Sequence, residues 1–214
     1  MVLKKSCDVD AVMEEEGSDA RYRDKWFRSD AQFHYLYPSY IQLLARRHWT
    51  PLAVARKAAA FLTVEPGAKI LDIGSGVGKF CISAAYYNPK AFYYGIEQRK
   101  DLAEHAENCC NKLGLQNVSF IQGNFTQLDF KNYDHFYFYN SFYENLAGTD
   151  KIDDSIAYSG ELYNYYTRYL YKQLEKTPAG TRLATFHSLE EEIPPSFYCV
   201  GAETGNLLKF WKKK

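Results

Sequence analysis

The stretch Lys69-Ile70-Leu71-Asp72-Ile73-Gly74-Ser75-Gly76-Val77-Gly78-Lys79-Phe80 decides the fold. Ile70, Leu71 and Ile73 give the short apolar run of a parallel strand covered on both faces. The strand runs into a glycine turn, and the turn opens a helix. Gly74, Gly76 and Gly78 remove three side chains within five positions. That frees backbone conformations other residues resist and lets a ligand lie against the main chain. A ligand there would sit at the carboxyl end of a central strand, where open α/β sheets place their sites.

Two familiar glycine loops are excluded by spacing. A P-loop needs Gly, four residues, then Gly-Lys-Ser/Thr. Here Gly78-Lys79 is followed by Phe80, and the position five before Gly78 is Ile73. The dinucleotide fingerprint G-x-G-x-x-G fails because the third glycine, Gly78, comes one residue early. What remains is D-x-G-x-G-x-G, and without further context it also fits a tight strand-to-helix turn with no ligand.

The next segment supplies context. Residues 91–97 read as a second strand ending on Glu97, about twenty positions after the glycines, as nucleotide-type βαβ units require. A carboxylate there can accept both ribose hydroxyls of an adenosine; the plainer alternative is a solvated acid at a strand end. Residues 99–113 read as a helix with Gly114 as its left-handed cap. Further strands are expected at 118–122, 135–140 and 181–187, with a long amphipathic helix over 155–176. Upstream, Thr50-Pro51 reads as a helix N-cap and first-turn proline, opening a helix to about Leu62. Val64-Glu65-Pro66-Gly67 is the turn into the first strand. Near the end of the chain Pro194-Pro195 breaks the alternation. Two apolar runs, at 197–200 and 207–211, then flank a Gly-rich turn as a β-hairpin.

Composition fits one α/β domain at 49–214 behind an extension at 1–48, of which 4–18, polar and acidic, is expected to be loosely ordered and 21–48 to form a helical cap on the sheet. The formal net charge is zero, which offers no global attraction for nucleic acid or an anionic membrane, so neither is expected as a partner. There is no bilayer-length apolar run and no signal-peptide core, so a cytoplasmic location is expected. Five cysteines show neither metal-ligand spacing nor an even disulfide set, and read as reduced thiols.

The glycine motif, the acid-ended second strand and the closing hairpin together resemble the class I S-adenosylmethionine (SAM) methyltransferases, over roughly residues 50–211. The resemblance implies a Rossmann-like, mostly parallel sheet with a C-terminal antiparallel hairpin, and SAM as cofactor. Asp72-Ile73-Gly74-Ser75-Gly76-Val77-Gly78, Tyr94-Gly95-Ile96-Glu97, Gln122-Gly123-Asn124-Phe125 and Asn140-Ser141-Phe142 occur in order. Within the class they resemble the non-SET lysine methyltransferases of the disruptor-of-telomeric-silencing type and their small prokaryotic relatives. His48-Trp49-Thr50-Pro51 is similar to the segment those relatives place over SAM. The implied cofactor contacts are Thr50, Asp72, Gly74, Gly76, Gly78, Glu97, Asn124, Phe125 and Asn140. Asn124 stands where the family carries an acid for the adenine amino group. Its amide oxygen can still accept, without charge, so weaker adenine binding is expected. Ser141 stands where related sequences carry asparagine or proline.

The resemblance makes Asn140, after the aromatic strand, the residue beside the methyl group and the expected catalytic position. The alternative is that it only caps a strand-to-loop turn. Methyl transfer from a sulfonium is an in-line displacement, so positioning and partial-charge stabilisation should dominate once the nucleophile is neutral. The expected acceptor is an amine such as a protein lysine. A small molecule, or a SAM-binding module with little turnover, stays open. The chain is 17% aromatic with 19 tyrosines. Those of the long helix read first as core packing, and second as a wall for a methylammonium acceptor. The terminal lysines, 212–214, read as a solvated tail.

Overall fold

Strand β1 (Lys69–Ile73) is buried at four of its five positions because both of its faces are covered. In the computed structural model, which describes residues 23–214, it pairs in parallel with β2 (Phe92–Glu97) and β4 (His135–Phe138). Strands β3 (Val118–Gln122) and β5 (Arg182–Phe186) extend the parallel sheet outward. β6 (Phe197–Glu203) and β7 (Leu208–Lys213) close it as an antiparallel hairpin. The order is β3-β2-β1-β4-β5-β7-β6, so the winding reverses between β1 and β4. This is the Rossmann-like methyltransferase sheet expected from the sequence. Its switch point opens a crevice beyond the strand ends.

Helices α1 (Asp30–His34), α2 (Ser39–Gln42) and α3 (Ala45–His48) are short. They precede α4 (Leu52–Leu62), α5 (Lys79–Tyr87), α6 (Lys100–Lys112) and α7 (Gly160–Glu175). One face of the sheet is packed by Ala55, Ala58 and Leu62 of α4 and Phe80 and Ala84 of α5, against Ile70, Tyr93 and Tyr137. The other is packed by Tyr166, Leu170 and Leu174 of α7, against Leu71, Phe136 and Leu183. Each buried Leu, Ile or Phe side chain among these stabilises the fold by roughly 1.5–3 kcal/mol.

Several expectations are corrected. From residue 23 onward the N-terminal segment is helical but broken. Ser29 caps α1 by accepting from Gln32 N, and Pro38 precedes α2. Its Phe33, Tyr37 and Ile41 pack on Leu52, Ile82, Leu102 and Cys109, so it caps the helices rather than the sheet. The expected loose order at 4–18 lies outside the described residues. Thr50 is not the cap of α4: Pro51 holds that position. The Thr50 hydroxyl instead hydrogen-bonds the Tyr137 hydroxyl at 3.0 Å. Asp30 Oδ1 accepts Leu52 N at 3.0 Å and also pairs with the buried Lys79 Nζ. One carboxylate thereby pins the cap segment to both α4 and α5.

Helix α7 begins at Gly160 rather than near 155, because Ser159 accepts from Leu162 N and fixes the start, while Ser155 is bound to Asp153. The terminal lysines are not all solvated. Lys213 is buried in β7 and its Nζ donates to the carbonyls of Leu174 and Glu175 at the end of α7, a favourable place for a cation. The four cysteines among the described residues are unpaired thiols.

Candidate functional site

The loops after all five parallel strands meet around a cavity of about 460 Å³, within the range of small-ligand sites. Gly74 and Gly76 come from the end of β1, Glu97 from β2 and Gly123 and Phe125 from beyond β3. Asn140 and Phe142 follow β4, and His187 follows β5. Among the residues expected at the site, Gly74, Gly76, Glu97, Phe125 and Asn140 line this one volume. Thr50, Asp72, Gly78 and Asn124 do not.

The glycines divide the work. All three have left-handed backbones, but they face different things. A Cβ on Gly74 would collide with Ser141, and one on Gly78 with the ring of Phe120, so both positions serve close packing. Only Gly76, at φ +53°, would project a Cβ into open space, and it lines the cavity. Ser141 gains a reason to differ from related sequences. Its Oγ donates to the Ile73 carbonyl at 2.7 Å, tying the β4 loop to the end of β1 opposite Gly74.

Glu97 is buried, and its two oxygens accept from Gly76 N and Arg99 N, both at 2.9 Å. Burial pushes this carboxyl above its ordinary range, opposed by the Arg99 N–H, the Arg99 guanidinium and the Gly76 N–H. Each carboxylate oxygen has a second lone pair to offer. Arg99 is itself 6% exposed. Its Nη2 donates to Glu144 Oε2 and to the Tyr158 hydroxyl, both at 2.6 Å, and its Nε donates to Asp153 Oδ1 at 3.2 Å. The segment 143–158 is thus clamped over the β2 end of the cavity. Sequence reasoning missed Arg99: its partners lie far along the chain, and nothing local to residue 99 announces them.

The residues that leave the cavity have other partners. Asp72 lies beneath the loop against the Cys81 thiol, which donates to Oδ2 at 3.7 Å. Burial pushes its carboxyl up to about 8. Asn124 caps the short turn Phe125–Gln127. Its Oδ1 accepts from Thr126 N at 3.0 Å and Oγ1 at 2.9 Å, and its Nδ2 donates to the Tyr166 hydroxyl and to Gln98. The amide oxygen expected to meet adenine is committed to Thr126, while the flanking Gly123 and Phe125 reach the cavity. Phe125 stacks on Phe142, with ring centroids 5.0 Å apart. Of the tyrosines on α7, only Tyr166 lines the cavity. Tyr163 and Tyr169 spend their hydroxyls on Glu192 and the Thr126 carbonyl, as in the packing reading.

At the other end of the cavity two strands stop in the same way. Phe138 and Thr185 are the last residues at which β4 and β5 pair, and Asn140 and His187 each stand two residues further on. Both have left-handed backbones, at φ +40° and +56°. Asn and His tolerate this better than most side chains, yet the conformation still costs on the order of 1–3 kcal/mol at each. Backbone bonds hold them there: Tyr143 N donates to the Asn140 carbonyl at 3.1 Å, and His187 N to the Leu207 carbonyl at 2.9 Å. The turn explains why both strands end earlier than 140 and 187. Arg46, His48 and Trp49 of the cap segment complete the rim.

A family model described as a methyltransferase domain matches residues 64–158, which carry the glycine loop, Glu97 and Asn140. Over that segment, somewhat under half of its length, the chain is similar to methyltransferase domains. A tRNA (guanine-N(7)-)-methyltransferase of Synechococcus sp. (strain JA-3-3Ab) is 43% identical over 54 residues, 25% of this chain and 23% of that relative. A protein-L-isoaspartate O-methyltransferase of Methanothermobacter thermautotrophicus is 34% identical over 70 residues, 32% of each chain. The matches therefore span a third or less of these relatives. Among solved structures, an RNA methyltransferase from Salinibacter ruber in complex with S-adenosyl-L-homocysteine (SAH) superposes with a TM-score of 0.52. It is 20% identical and covers 77% of this chain and 92% of that one, a likeness of fold. The narrower resemblance to lysine methyltransferases is not carried by these matches, and the tRNA relative leaves nucleic acid open as an acceptor despite the zero net charge.

The cofactor implied by the sequence resemblance is SAM, and the residues present fit it. Gly76 leaves room where a side chain would stand, and Glu97 places buried acceptor oxygens beside that room. Ile96, Leu102 and Phe125 give the same cavity an apolar wall. No helix among the described residues is long and apolar enough to cross a membrane.

Proposed function

We propose that this chain transfers a methyl group from SAM to a nitrogen acceptor, with the amine of a protein lysine as the leading candidate. The observation that supports it is the single cavity running from Gly76 and Glu97 to Asn140 and His187, which gives cofactor and acceptor one continuous site. On this reading Glu97 accepts the ribose hydroxyls, Gly76 lets the cofactor approach the backbone, and Phe125 and Ile96 flank the adenine. The Asn140 side chain makes no hydrogen bond among the described residues, so its amide oxygen is available to orient an incoming N–H. Its task is positioning, which a transfer of this kind needs most.

An RNA acceptor is the second reading, favoured by the names of the tRNA and RNA relatives and by Arg46 and His48 at the rim. The isoaspartate relative shows that the family does not choose between them. The test is incubation with tritiated SAM and separated protein, RNA and small-molecule fractions of a cell lysate, followed by mass spectrometry of the labelled fraction. Label on an amine nitrogen of protein is expected. Label only on RNA, oxygen or sulfur would remove the lysine reading and leave the SAM site intact.

A further inference from the structure

We propose that His187 is the acceptor-side base of this site, taking the proton that the acceptor nitrogen sheds. The inference rests on the methyltransfer reading above and deepens it. Three observations carry it. His187 lines the same cavity as Gly76 and Asn140. It and Asn140 each stand two residues after the last paired residues of two neighbouring parallel strands, Thr185 and Phe138, and both are turned by left-handed backbones. Its ring nitrogens make no hydrogen bond among the described residues, while the ring itself is stacked on Tyr139 at 5.6 Å and set edge-on to Phe186 at 4.4 Å. A ring held by its neighbours at the cavity wall, with nitrogens that no described residue engages, can accept a proton there without rearranging.

Burial lowers the imidazole below its ordinary range, so the neutral, proton-accepting form dominates at neutral pH. Among the described residues His187 forms no ion pair. From β4 comes Tyr139. On β7, Lys209 lies opposite Thr185 and is paired with Glu190. Across the cavity stand Arg46 and His48 of the cap segment. When bound, SAM supplies the methyl carbon: the nitrogen lone pair forms the new N–C bond as the C–S bond breaks and its electron pair stays on sulfur. The acceptor N–H proton passes to a ring nitrogen of His187, which returns it to solvent as imidazolium.

The test needs no acceptor. SAM carries a positive sulfonium and SAH a neutral thioether, so a histidine facing the transferring methyl feels the difference. Proton NMR titration of the His187 ring, assigned by its loss in His187→Gln or by contacts to Tyr139 should that variant not fold, is run with each ligand. The titration midpoint should fall about half a unit or more lower with SAM than with SAH. Calorimetry on the same samples separates the two claims. Binding of both ligands with midpoints equal within about 0.1 unit overturns the role of His187 alone. Absence of SAM binding overturns the methyltransfer reading beneath it.

Discussion

The two ends of the cavity are built differently. At the end of β2 the charges are answered by protein: Glu97 by Gly76 N and Arg99 N, and Arg99 by Glu144, Asp153 and Tyr158. At the ends of β4 and β5 the backbone is strained and the side chains of Asn140 and His187 are left open to the cavity. The first end is a rigid, pre-arranged seat, which suits a cofactor shared by a whole family. The second spends conformational energy to present polar groups, which suits an acceptor particular to this chain.

The comparison breaks first at Arg99. Replacing it with Met should destabilise the protein by about 3–5 kcal/mol, because the buried Glu97 and the half-buried Glu144 are left without their partner. A denaturant titration with a loss below about 1 kcal/mol, the scale of a surface pair, would show that the seat is not held by charge. Glu97→Ala should weaken SAM binding by roughly 1.5–3 kcal/mol, about ten- to a hundred-fold. A change under about threefold would remove Glu97 from the ribose role.

Beneath the seat, Asp72 gives a pH signature. Its carboxyl keeps its proton to about pH 8 in the folded state, whereas the unfolded chain releases it near 4. Between those values the folded state binds more protons, so stability falls as pH rises, by up to about 1.4 kcal/mol per unit, and levels off above 8. Asp72→Asn should remove this slope in melts across pH 5 to 8. A slope unchanged in the variant would assign the effect elsewhere. At the acceptor end, the smallest expected effect is on binding: Asn140→Ala should lower the catalytic rate several-fold while leaving SAM affinity within about twofold. With an amine acceptor, the rate should also rise with pH above neutrality, since a protonated amine must first lose its proton.

The same contrast explains what the sequence made legible. Strand β3 falls at 118–122 as expected, and Gly114 ends α6 at φ +62°, because local patterning and one cap decide them. The glycine turn and Glu97 sit on adjoining strands at a spacing that the βαβ unit dictates. The clamp by Arg99 was not legible, since Glu144, Asp153 and Tyr158 meet it only through tertiary folding. Nor was the commitment of Asn124 to Thr126 and Tyr166, a turn cap that competes with the ligand role implied by the family pattern. His187 gave no signal beyond its place at a strand end. Its place on the same cavity as Asn140 exists only once β5 has paired with β4.

The most direct test of the central claim is calorimetry of the purified protein with SAM, SAH and NAD, repeated on Gly76→Val. That substitution fills the open space beside the loop and strains a backbone at φ +53°. The wild-type protein should bind SAM and SAH but not NAD, and the variant, still folded by circular dichroism, should lose binding by about a hundred-fold or more, on the order of 2.7 kcal/mol. Tight binding of NAD with none of SAM, or undiminished SAM binding by the variant, would contradict it.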